Sequence, residues 1–247
     1  MSMPGAPSLP KIDVNEYGGK NKDGERQVMN RRLFMQVLVF EAPEGVRAEA
    51  LASATSTLCR AREIKSVVYA DANDPRSVGL LTWSEDPSHF VKHVRPIFSH
   101  DELLRAKIRG DFTMLGRTYS QGYEPDLEDA LLHRFVRNVE NPAYPWHVWY
   151  PLRRSGAFAK LAPEDQSSIL KEHGVIGHAY GQAALAHDVR LACHGLDAKD
   201  NEFVIGLVGQ DLHPLSHLVQ TMRKTRQTSE FISQMGPFFV GYVLHRT

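Results

Sequence analysis

The sequence predicts an α+β fold in which one unit is written twice, and three observations carry that prediction. "SVGLLTWSEDPSHFVKHV" (Ser77–Val94) and "FVIGLVGQDLHPLSHLVQ" (Phe203–Gln220) share a plan. Each has an apolar run with a Gly near its start, an acidic turn, a Pro opening a helix, and apolar residues at helical spacing. Aligning Gly79 with Gly206 also aligns Pro87 with Pro214, at the same offset of 127 residues. The order of elements around the two segments repeats as well.

Each half opens on an apolar strand, "RLFMQVLVF" (Arg32–Phe40) and "WHVWYPL" (Trp146–Leu152). A helix follows, over Gly45–Arg62 and over Pro163–Tyr180. "VVYADA" and "DVRLACHG" supply a strand before the matched run, and "DFTMLGRTY" and "PFFVGYVLH" one after its helix. Strand, helix, strand, strand, helix, strand is the split βαβ order of a ferredoxin-like repeat, and two such repeats pack sheet against sheet as an α+β barrel. The expected organisation is an N-terminal arm (1–30), a first repeat (31–125), a connector carrying one helix (126–145) and a second repeat (146–247). The arm, polar and rich in Pro and Gly, is expected to be disordered, or ordered only against a neighbouring subunit.

Composition narrows the function. In 247 residues Lys plus Arg and Asp plus Glu number 29 each, so no bulk charge points to nucleic acid or an anionic membrane. No run of 18 apolar residues suits a membrane span, and the N-terminus lacks the apolar core of a secretory signal. A cytoplasmic protein is the expectation. Cys59 and Cys193 stand far apart without C-x-x-C, which argues against a thiolate zinc site, covalent c-type haem and a disulfide. G-x-G-x-x-G, Walker and G-x-S-x-G patterns are missing from the sequence.

The chemistry concentrates in "SSILKEHGVIGHAYG" (Ser167–Gly181). Ile169, Leu170, Ile176 and Tyr180 share one helical face, and His173 lies on that stripe with Gly174 and Gly177 close by. A lone imidazole on an apolar face is more often a satisfied core residue than a ligand. Each glycine costs a helix about 1 kcal/mol against alanine. Two of them beside one histidine therefore suggest that something flat approaches, and haem, whose commonest axial ligand is neutral imidazole, fits. His89/His93 and His213/His217 are spaced i, i+4 as chelating pairs are, yet neither has an evident third ligand, and a solvated helix face is the simpler expectation. Arg153 and Arg154, following Tyr150, could pair with carboxylates or propionates, or form an ordinary basic strand end.

Four stretches, "WYPLRRSG", "LAPEDQSSILKEHGVIGHAY", "HGLDAKDNEFVIGL" and "MGPFFVGY", together resemble the chlorite dismutase and coproheme decarboxylase family over residues 145–247. The resemblance implies homo-oligomers, usually pentamers, with haem b or coproheme in the C-terminal half. By position it makes His173 the iron ligand, Tyr150 the tyrosine that decarboxylases use as a radical, Arg154 a propionate binder and Arg190 the distal arginine of chlorite dismutases. Gln227 stands where relatives place a Glu that accepts a hydrogen bond from the proximal imidazole. Gly181–Leu185 is about four residues longer than in relatives, and Phe158 and Ala159 replace a Trp pair.

The function expected from this resemblance is a haem-dependent oxidoreductase acting on a small anionic oxidant or peroxide, with Arg190 holding the anion. A coproheme decarboxylase using Tyr150 is the first alternative. A family member that binds haem without turnover, or has lost it, is the second.

Overall fold

The apolar alternation of the two units becomes, in the computed structural model, a single sheet; residues 9–247 are described. A hairpin of β1 (Glu16–Lys20) and β2 (Arg26–Met29) comes first. The first unit is β3 (Phe34–Glu41), α1 (Ala48–Ala61), β4 (Ser66–Asp71), β5 (Ser77–Ser84), the short β6 (Lys107–Ile108) and β7 (Met114–Arg117). The connector holds α2 (Arg134–Glu140). The second unit is β8 (Trp146–Arg154), α3 (Gly156–Ala159), α4 (Pro163–Gln182), β9 (His187–Ala192), β10 (Phe203–Gly209), α5 (Leu212–Met222), α6 (Arg226–Phe231), β11 (Ile232–Met235) and β12 (Phe239–Arg246).

Strands neighbour one another in the order β7-β3-β5-β4 in the first unit and β12-β8-β10-β9 in the second. Both place the fourth strand beside the first and the third between first and second, so the repeat read from the sequence is present in the topology. β4 pairs with β12 and β7 with β9, and this closes eight strands into an antiparallel ring. All eight point apolar side chains inward, among them Met35, Tyr69, Leu81, Met114, Trp149, Val189, Val204 and Phe239. The aligned glycines make room for these aromatics. A Cβ on Gly206 would lie 2.6 Å from the Trp149 ring, and one on Gly79 would strike Phe239.

Two expectations need correction. The helix expected after Pro87 is a π-helical turn (Phe90–Val94) running into a 3-10 turn (Arg95–Ser99), because Pro96 has no N–H to continue a regular helix. The arm, apart from residues 1–8, which lie outside the described residues, is not disordered from Glu16 onward. Asp23-Gly24 turns the hairpin with Gly24 at φ +81°. The Glu16 carboxylate then meets Arg32 at 3.5 Å and Arg117 at 3.1 Å and accepts the Ser120 N–H, while the Gly19 N–H donates to the Glu124 carbonyl.

The outer faces of the two units differ. α1 lies directly on its strands and buries five of its fourteen residues, Leu51, Ala52, Thr55, Ser56 and Cys59. α4, with twenty residues, buries only Ile169.

Candidate functional site

Strand alternation builds the floor beneath α4. Antiparallel register sets Arg190 on β9 opposite Ile205 on β10, and Ile205 opposite Tyr150 on β8, so the three form one row. Strands about 4.8 Å apart put Arg190 and Tyr150 roughly 10 Å from each other at their Cα atoms. Around the row the surface is apolar yet incompletely covered: Phe203, Ile205, Ile232, Met235, Phe238 and Val240 are half-buried, as is Ile176 on the facing side of α4. With only Ile169 of α4 buried, the strip of partly exposed side chains between the helix and this floor is a shallow groove.

His173 is half-buried on α4. Burial, and then the positive charge of Arg190, push its pKa down and keep it neutral. Its Nδ1 lies 3.4 Å from the Thr225 hydroxyl, and Nε2 has no hydrogen-bond partner among the described residues. The two glycines differ. Gly177, one turn on from His173, has only the Met222 methyl nearby, at an ordinary 3.5 Å, and a Cβ on Gly174 would meet nothing within 4 Å. The chain's own packing therefore requires neither to be glycine.

Tyr150 is 6% exposed and stacks on Phe238 with ring centroids 4.5 Å apart. Its hydroxyl has no hydrogen-bond partner among the described residues, and burial raises its pKa. Arg190 Nε approaches Asp188 Oδ2 to 2.6 Å, but its N–H is not directed at the carboxylate, so the pair is a contact of charges and the donor stays unspent. Arg154 donates to Glu202 at 3.2 Å, and its guanidinium lies between the rings of Phe158 and Phe203, 4.7 and 4.8 Å from their centroids.

Two expectations fail here. Arg153 does not join the groove: one residue from Arg154 on a strand, it points to the opposite face, where Nε donates to the Asp200 carbonyl at 2.7 Å and Nη2 to that of Lys199. Gln227 is not bonded to the imidazole. The acceptor is Thr225, while Gln227 Oε1 is buried without a partner. α6 begins at Arg226, so Thr225 rather than Gln227 sits where the chain turns toward α4.

Sequence reasoning missed three residues. Tyr119, from the first unit, reaches Phe203 with centroids 5.7 Å apart and comes within the field of Arg190 and Arg154. Arg134, on α2, has no hydrogen bond or ion pair among the described residues. It feels Asp188 and Arg190, and burial lowers its pKa. Thr225 is the third. No local pattern marks any of them.

His89 stacks on His93 at 5.4 Å, His217 bonds Tyr180, and no group of three potential metal ligands occurs among the described residues. No helix of the described residues is long and apolar enough to cross a membrane.

A family model described as chlorite dismutase matches residues 80–244. Solved structures share the fold at low identity. A provisionally assigned chlorite dismutase is 15% identical with a TM-score of 0.71, covering 87% of this chain and 96% of that one. A haem-binding protein from Thermus thermophilus is 18% identical, with a TM-score of 0.66 and coverage of 87% and 92%. Chlorite dismutase from Candidatus Nitrospira defluvii, in complex with imidazole, is 12% identical, with a TM-score of 0.66 and coverage of 88% and 93%. No curated protein sequence matches the chain.

Proposed function

The chain belongs to the chlorite dismutase family, and from that premise we propose that it is a haem-dependent oxidoreductase holding its porphyrin, haem b or coproheme, in the groove under α4. The observation that carries this reading is the His173 imidazole, with Nε2 free among the described residues, on a helix that buries only Ile169 over a partly exposed apolar floor. The residues present fit such a group. Half-buried apolar side chains would contact the ring, Gly177 leaves room beside the imidazole, and the Arg190 donor is buried and unspent. A bound haem iron supplies the redox chemistry. His173 Nε2 would hold the iron and Arg154, already beside the groove, a propionate.

Arg190 would bind and orient a small anionic oxidant such as chlorite, and keep the departing hypochlorite close through a charge-assisted hydrogen bond in a site of low polarity. A second reading, coproheme decarboxylation with peroxide, is favoured by one feature: the Tyr150 hydroxyl is held rigid by Phe238 and has its proton uncommitted. There Tyr150 would serve as the hydrogen donor and acceptor next to the propionate.

Visible spectra of the protein after adding haem and coproheme separately test the cofactor. His173→Ala should abolish or markedly shift the ferric Soret band, and an unchanged spectrum with unchanged affinity would remove His173 as ligand. Oxygen release from chlorite supports the first reaction. Conversion of coproheme to haem with peroxide, stopped in Tyr150→Phe, supports the second.

A further inference from the structure

The hydrogen bonds behind His173 determine which of its nitrogens carries the proton. Thr225 is 2% exposed and precedes α6. Its hydroxyl has one proton and three neighbours: the Met222 carbonyl at 2.7 Å, Thr228 Oγ1 at 3.4 Å and His173 Nδ1 at 3.4 Å. The carbonyl is a pure acceptor at the shortest distance, so the hydroxyl donates there and offers only lone pairs to the imidazole. A hydrogen bond between the two then needs the ring proton on Nδ1, which leaves the Nε2 lone pair free.

We infer that Thr225 is the positioning residue of the proximal side: locked as an acceptor by the last carbonyl of α5, it fixes His173 in the Nδ1–H tautomer, with Nε2 toward the groove. Gln227 has no part in this, since its Oε1 is partnerless while Thr225 takes the contact. The acceptor is an uncharged hydroxyl, so it orients the ring while drawing the Nδ1 proton only weakly. The threonine is held in place independently of its hydroxyl. Its N–H donates to the Met222 carbonyl at 3.0 Å, its carbonyl accepts from Ser229 N, and its side chain does not cap α6. Thr225→Val therefore removes the acceptor while keeping shape and backbone.

The inference rests on the haem reading for its purpose but is testable without it. In haem-free protein labelled with 15N-histidine, the His173 nitrogen shifts should report mainly the Nδ1–H tautomer. Thr225→Val should give a mixture, and Thr225→Ser should restore the wild-type pattern. In haem-loaded protein, Thr225→Val should lower the iron–imidazole stretching frequency and raise the ferric/ferrous potential, with Thr225→Ser again restoring both. Gln227→Glu should leave both unchanged. Wild-type tautomer populations in Thr225→Val would overturn the role of Thr225, as would a stretch and potential that respond to Gln227→Glu but not to Thr225→Val. Failure to bind haem would instead remove the functional reading and leave the nitrogen shifts to judge Thr225 alone.

Discussion

The two halves place a helix over the same four-strand order and use it differently. α1 carries small and apolar residues on its inner face and closes on β4 and β5, so Leu51 and Cys59 are buried against Phe40, Val68 and Leu80. α4 carries two histidines, three glycines and a few separated apolar residues, and buries only Ile169. Two histidines repeat the contrast. His147, fully buried, spends Nδ1 on the Tyr69 hydroxyl at 2.9 Å and Nε2 on the Tyr144 carbonyl at 3.1 Å. His173 spends one nitrogen and keeps the other. A duplicated unit can thus keep its topology while one copy contributes a packed face and the other a binding face; what differs is how far each helix's residues let it approach the sheet.

The largest expected effect is on the packed side. Leu51→Ala should cost about 2–5 kcal/mol through lost burial and a cavity, whereas Ile176→Ala over the groove should cost roughly 1 kcal/mol in haem-free protein. Urea unfolding of both variants measures the difference, and equal losses would mean that α4 packs as tightly as α1. On the open side, Arg190→Gln should lower oxygen release from chlorite by ~10²-fold, the usual effect of deleting one oxyanion donor, with little change in stability. A comparable loss of stability would make Arg190 a packing residue.

Acid sharpens the contrast between the histidines. Burial, and then the charge of Arg246, depress His147 to about 3. The unfolded chain takes up this proton near pH 6.5 and the folded one only near 3, so between these values the unfolded state binds more protons. Stability should therefore fall as the pH drops from about 6.5 toward 3, by at most about 1.4 kcal/mol per pH unit from this group. Denaturation midpoints across that range should flatten in His147→Asn, and a slope identical to wild type would assign the acid sensitivity elsewhere. The smallest test is one of sign. Gly177→Ala on the open helix should stabilise haem-free protein by about 0.5–1 kcal/mol and weaken porphyrin binding. Gly206→Ala, against Trp149, should destabilise it by about 1–3 kcal/mol. Loss of stability at Gly177 would show the groove to be already filled.

Much of this was legible in the sequence because period and spacing act locally. The offset between Gly79 and Gly206 reported the repeat, since both glycines admit an aromatic ring into the barrel. The stripe through Ile169, Ile176 and Tyr180 placed His173 on the inner face of α4, whereas Leu170, expected on the same stripe, is exposed because it is one residue, about 100°, round the helix from Ile169. Arg153 and Arg154 were also separable in principle, because strand alternation puts only Arg154 on the Tyr150 face, and Asp23-Gly24 was a readable hairpin turn inside the expected arm. Tyr119, Arg134 and Thr225 were not legible. Each reaches the groove through ring closure, helix docking or a turn between helices, and a single sequence carries no local record of such long-range neighbours.

Ring closure has a further consequence for how the molecule opens. The β4–β12 junction is held by five register pairs, Gly241↔Asp71 to Arg246↔Val67, while the β7–β9 junction has one, Arg117↔Ala192. A cylinder fastened so unequally should part first along the thin seam, two residues from Arg190. Slow amide exchange in β4 and β12 beside faster exchange at the free edges of β7 and β9 would be its signature, and the same transient parting would give small solutes a path to the groove past Tyr119.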